Sequence, residues 1–207
     1  MSTRENNLKE KFRIALTSTA KVISDDFDLI EKKTKKNKST EKSFIEIDNI
    51  NCPSDFIKLR AETDSSALKK KFSNDDIYKK NLPGNSSSRS LYNIAEKIRY
   101  EALGGKMLKG IEKNFHENYS RIISQKRRDQ LKTKEDVTVS EAFELYMLKN
   151  FHKVKLNPLT SKMLNFWERD FEKSIEKHKE FLLNNLEDQN TYSSRFSKIL
   201  EEMDIFQ

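Results

Sequence analysis

Apolar residues recur at three- and four-residue steps along the start of the chain. Leu8, Phe12, Ala15, Leu16, Val22 and Ile23, with Thr19, form one stripe. That spacing predicts an amphipathic helix ending near Ser24-Asp25-Asp26. Two short runs follow, Phe27 to Ile30 and Phe44 to Ile47, and read as a small β-hairpin. Between them lies Lys32-Lys33-Thr34-Lys35-Lys36-Asn37-Lys38, without an apolar residue. Like charges at that density repel and solvate, so a solvated tip is a plainer reading than an anion site. Helical spacing returns from Pro53 to Phe72, through Phe56, Ile57, Leu59, Ala61, Ala67 and Leu68.

Pro83-Gly84-Asn85-Ser86-Ser87-Ser88 is the clearest break in the pattern. It divides the chain into 1–85 and 86–207, two parts of one composite domain. The next stripe runs from about Ser90 to Ile123: Leu91, Ala95, Ile98, Ala102, Gly105, Leu108, Ile111, Phe115, Tyr119 and Ile122. Thr138-Val139-Ser140-Glu141 has capping-box spacing and opens another helix. Asn157-Pro158 opens a further one, carrying Leu159, Met163, Trp167, Phe171, Ile175, Leu182 and Leu186. A last helix holds Phe196, Ile199, Leu200 and Met203. The expected fold is mainly α: a bundle of about six helices with one small β-hairpin near the N-terminus.

Composition sharpens this picture. Apolar and charged residues each make up 35% of the 207 residues, against roughly half and a quarter in an ordinary globular domain. The 13 Phe, 6 Tyr and one Trp supply large groups to bury. No apolar run approaches about 18 residues, so no membrane-spanning helix is expected. Met1 to Glu10 is polar, without a signal core, which reads as a cytoplasmic chain. Cys52 has no second cysteine to pair with. His116, His152 and His178 lack zinc-ligand spacing and read as surface or helix-face residues.

Two motifs fail. Gly104-Gly105-Lys106 resembles the end of a phosphate-binding loop, but the loop's first glycine would fall at Arg99, and Met107 stands where a hydroxyl is needed. Asp64-Ser65-Ser66-Ala67-Leu68 approaches the Asp-x-Ser-x-Ser metal site of von Willebrand A domains and departs from it at Leu68. No nucleophile with its base and orienting group assembles from the sequence, so no catalytic residue and no metal ligand is expected.

One segment stands apart. Of four glycines, Gly104, Gly105 and Gly110 fall within one expected helix, where each costs about 1 kcal/mol against Ala. They imply either close backbone approach or a broken helix. Glu96, Lys97, Arg99, Glu101, Lys106 and Lys109 crowd the same stretch. Glu96 and Arg99 share a helix face; Glu101 is turned about 140° from Glu96.

Glu96-Lys97-Ile98-Arg99-Tyr100-Glu101-Ala102-Leu103-Gly104 resembles the E-x-x-R-x-E-A-[IL]-G segment of the CobT family. The likeness continues through Gly110 and Asn114 to Tyr119. Weaker matches in the same order are Phe12-Arg13-Ile14-Ala15-Leu16, Arg60-Ala61-Glu62 with Asp64-Ser65 and Ala67-Leu68, Pro83-Gly84, and Glu141-Ala142. The resemblance implies a subunit of the aerobic cobaltochelatase, which consumes ATP while inserting Co²⁺ into a corrin-ring precursor in cobalamin biosynthesis. Its implied partners are an AAA+ ATPase subunit and a large tetrapyrrole-binding subunit. ATP, magnesium and cobalt belong to the complex; no cofactor is expected on this chain. The likeness covers the family's N-terminal helical region and lacks its acidic linker and von Willebrand A domain. On this reading the chain is an assembly or adaptor module. Glu96, Arg99, Glu101, Gly104, Gly110 and Asn114 form its expected partner-binding patch.

A rival reading is a basic helical nucleic-acid-binding protein. A net charge of +7 and the runs Lys32–Lys38, Lys69–Lys71 and Lys126–Arg128 motivate it. Interspersed acids and the lack of a recognisable binding motif make it the weaker of the two.

Overall fold

A computed structural model describes residues 3–27, 50, 52–126 and 133–203. The chain divides into two compact units, Met1–Lys71 and Phe72–Gln207. Apart from Phe27, the expected hairpin and its cationic tip fall at residues 28–49 and lie outside the described residues. So do Arg127 and Arg128. Among the described residues there are nine α-helices, one 3-10 turn and no strand.

The first unit holds α1 (Thr3–Ser24) and most of α2 (Pro53–Phe72). Helix α1 stops where the sequence predicts: Asp25 takes φ 55°, and the Asp26 N–H donates to the Lys21 carbonyl at 3.2 Å. A left-handed residue just past the end is a common way to close a helix. Phe12 of α1 meets Phe56 of α2 edge-on, ring centroids 4.8 Å apart. Asp25 and Asp26 pair with Lys71 and Lys70.

The second unit comprises α3 (Asp75–Lys80), α4 (Ser86–Met107), α5 (Lys109–Gln125), a 3-10 turn (Lys134–Asp136), α6 (Val139–Phe151), α7 (Pro158–Asn165), α8 (Glu168–Asn184) and α9 (Gln189–Glu201). Helix α4 packs against α5, α6 and α9. Phe143, Phe171 and Phe196, all fully buried, join α6, α8 and α9, with ring centroids 5.4 and 6.1 Å from Phe143. The Thr138–Glu141 capping box and the Asn157 cap before Pro158 form as expected.

Six expected helices become nine for three local reasons. Helix α3 is too short to show a stripe; the Asn74 side chain starts it by accepting the Asp76 and Ile77 N–H groups at 2.9 and 3.2 Å. The stretch from Pro158 to Leu186 breaks at Phe166-Trp167. There the Trp167 indole N–H donates to the Val137 carbonyl at 3.0 Å, and Lys134 sits 3.9 Å above the ring. The stretch from Ser90 to Ile123 breaks at Leu108, whose backbone is extended (φ −142°, ψ 117°). Helix α5 then folds back along α4, placing Glu112 over Gly105. A β-carbon added at Gly105 would lie 3.4 Å from that of Glu112. The glycine cluster therefore both ends a helix and admits a close neighbour.

Leu108 caps α5 without a side-chain hydrogen bond. Leucine is among the poorest residues for that position, and serine among the best. Leu108→Ser is accordingly expected to stabilise the second unit by about 1 kcal/mol, read as a higher midpoint in urea or heat. No helix among the described residues is long and apolar enough to cross a membrane.

Candidate functional site

The residues singled out on α4 separate into two buried clusters on different sides of the helix. Arg99 is fully buried, and Glu96 and Glu101 are 4% and 1% exposed.

The first cluster is built around Arg99. Its Nε lies 3.4 Å from Glu96 Oε2. Its Nη1 donates to the Leu186 carbonyl at 3.0 Å, in the α8–α9 connection. Its Nη2 donates to the Phe72 carbonyl at 2.7 Å and to Ser73 Oγ at 3.2 Å. Phe72 is the last residue of α2, and a cation on its carbonyl also suits the negative end of a helix. Glu96 is held from α9: the Ser193 hydroxyl donates to Oε1 at 2.5 Å, and Gln189 Nε2 to Oε2 at 3.2 Å. Gln189 in turn accepts the Asn74 N–H at 2.7 Å. The planar guanidinium fork suits this job, since its fixed donors reach four separate acceptors without reorganising. Buried Tyr192 adds a bond from its hydroxyl to the Ala95 carbonyl at 3.1 Å. Burial, then the nearby Glu96, holds its phenol well above the usual value, so it remains a donor.

The second cluster faces α5 and the end of α6. The Tyr119 hydroxyl donates to Glu101 Oε2 at 2.5 Å. Burial and the adjoining Glu101 carboxyl group raise that phenol well above its ordinary range. Lys97 Nζ lies 3.9 Å from Glu101 Oε1 and 5.6 Å from the centre of the Tyr119 ring. His152 Nε2 stands 3.7 Å from Glu101 Oε2, too far for a hydrogen bond. Burial, aided by His116 and Lys97, pushes the His152 imidazole down to about 4, so it is neutral at pH 7. Among the described residues, the buried Nε2 atoms of His152 and His116 have no hydrogen-bond partner.

The structure thus joins Glu96 to Arg99 and sets Glu101 apart, as the 140° turn implies. The expectation of a reachable patch is corrected for these three residues: polar groups this deep are spent on each other and on backbone carbonyls. Gly104 is buried, Asn114 half-buried and Gly110 exposed. An added β-carbon at Gly110 would meet nothing within 4 Å among the described residues, so none of them is the close neighbour this glycine was expected to admit. His152 also departs from expectation, being buried rather than on a surface face. Gln189, Ser193 and His152 escaped the sequence reading, since nothing local marks them as partners of α4. Among the described residues, no group of three or more His, Cys, Asp or Glu is placed to hold a metal ion.

The family model described as cobalamin biosynthesis protein CobT matches residues 6–207. The chain belongs to the CobT family. No curated relative and no solved structure matches it. Membership ties this CobT chain to cobalamin biosynthesis, and the geometry explains its signature residues physically. Within the second unit, the E-x-x-R half fastens α4 to Phe72 and Ser73 and to α9. The following E-A pairs across the α4–α5 corner with Tyr119. Tyr119→Phe is expected to cost this CobT chain about 1–3 kcal/mol, because Glu101 loses a buried donor. Urea unfolding measures it; a change within about 0.5 kcal/mol, as at an ordinary surface site, would contradict the pairing.

The basic runs are less free than their sequence suggests. Lys70 and Lys71 pair with aspartates of the first unit, and Lys126 lies 3.5 Å from Glu141. The Lys32–Lys38 run lies outside the described residues.

Proposed function

We propose that this chain serves as an assembly or adaptor module of the ATP-dependent cobaltochelatase that inserts cobalt into the corrin-ring precursor. The carrying observation is the CobT match across residues 6–207. In this reading Co²⁺ is a substrate of the whole complex. ATP and magnesium belong to the AAA+ subunit, and the macrocycle to the large subunit. This chain contributes contacts rather than bond-making. The burial of Glu96, Arg99 and Glu101 supports a scaffold role for the motif, since groups so engaged hold helices in place and leave the outer surface to partners.

The test is reconstitution. The full chain is mixed with the purified AAA+ and large chelatase subunits and passed over a sizing column, with cobalt insertion assayed in parallel. Co-elution with either subunit, and insertion that depends on this chain, is the expected result. Absence of both at micromolar concentrations would remove the adaptor reading. The nucleic-acid reading has less to stand on, because three of its lysines already face carboxylates.

A further inference from the structure

The corner between α4 and α5 carries groups that folding alone does not explain. Met107 and Leu108 are 40% and 47% exposed. Leu108 belongs to the apolar stripe by spacing, yet the helix break turns it outward. It also occupies a cap position where a polar residue would serve the helix better. An apolar side chain that is both solvated and a poor cap is disfavoured twice over. Lys106 and Lys109 flank the pair, both exposed, and among the described residues neither side chain forms an ion pair or hydrogen bond. Lys113 follows one turn on, its side chain 77% exposed and 3.9 Å from Glu117. Between positions 105 and 113 there are three lysines and a single acid, Glu112. Among the described residues, nothing lies within 4 Å of a β-carbon added at Gly110.

We propose that this corner docks an acidic segment of a partner protein, its carboxylates on Lys106 and Lys109 and an apolar side chain against Met107 and Leu108. An apolar centre with a charged rim is the ordinary anatomy of a protein interface. Methionine adapts its shape to what it meets. A second copy of this chain fits poorly. Lysines would face lysines on molecules already carrying +7. Nucleic acid fits less well than protein, because phosphate contacts use cations and hydrogen-bond donors and gain nothing from a central Met-Leu pair. This inference deepens the adaptor reading and rests on it for the partner's identity.

The experiment compares four full-length proteins: wild type, Met107→Ser/Leu108→Ser, Lys106→Glu/Lys109→Glu, and Lys173→Glu on the exposed face of α8 as control. Each is titrated against the purified AAA+ and large subunits. Both corner variants are expected to bind about tenfold or more weakly, with the control unchanged. The Met107/Leu108 variant should bind worse while melting no lower than wild type, a pairing that a purely structural role cannot produce. If the corner variants bind like wild type, the corner is wrong and the adaptor reading stands. If wild type binds neither subunit, both fall. Each protein is also titrated with a short DNA duplex at low salt. Binding abolished by the lysine reversals but untouched by the Met107/Leu108 change would overturn the protein partner in favour of nucleic acid.

Discussion

Arg99→Ala is expected to lower the unfolding free energy by about 3–5 kcal/mol, the cost of breaking a buried charged pair from one side. The guanidinium is fully buried, and its removal strands Glu96 together with the carbonyls of Phe72 and Leu186. That is a large share of the roughly 5–15 kcal/mol that holds a typical domain together. Arg99→Lys is expected to rescue little, because one ammonium on a flexible stem cannot span acceptors that the fork reaches at once. Urea unfolding of the variants against wild type measures this. A loss below about 1 kcal/mol for Arg99→Ala, comparable to an exposed ion pair, would show that the clamp is not what holds α4.

Acidification is expected to remove about 3 kcal/mol between pH 6.5 and pH 4 through His152 alone. The sign follows from burial. The folded imidazole titrates near 4 and the unfolded one near 6.5, so the unfolded chain binds the extra proton throughout that window. Stability is complete above 6.5 and is lost as pH falls toward 4. The ring packs at 6.1 Å from Phe115 and 5.8 Å from Tyr119, both on α5. Glu101 and Lys97 of α4 and His116 and Tyr119 of α5 are titratable groups around it. Glu101 favours the proton; His116, Lys97 and the apolar surroundings oppose it and prevail. His152→Phe keeps the ring packing and removes the titration. Its unfolding free energy should therefore depend less on pH, by about 1.4 kcal/mol per unit in mid-window. Parallel curves for variant and wild type would refute the assignment, since every other titratable group is common to both.

The helices themselves were legible. Apolar spacing located α1, α2, α6 and α9, and capping residues placed the starts of α6 and α7. The breaks at Leu108 and Phe166-Trp167 were not, because a stripe continues in register across a one- or two-residue turn. The motif was legible as a unit but misread in place. Six charges in a short stretch suggest a surface, whereas the acceptors of Arg99 lie in backbone carbonyls that carry no sequence signature. A signal was nonetheless present. At 100° per residue, Arg99 falls about 80° from Leu91, between Ala95 and Tyr92. All three of those neighbours are fully buried, so the arginine lies within the apolar arc rather than beside it.

The reach of the Arg99 bonds along the chain has a kinetic consequence. Its carbonyl partners lie 27 and 87 residues away, whereas Tyr119 and Glu101 are only 18 apart. Short loops close at the lower entropic cost, so the α4–α5 hairpin is favoured early and the arginine fastens once the remote segments arrive. A contact absent from the folding barrier acts as a latch: cutting it leaves refolding near its native speed and lets the assembled bundle come apart sooner.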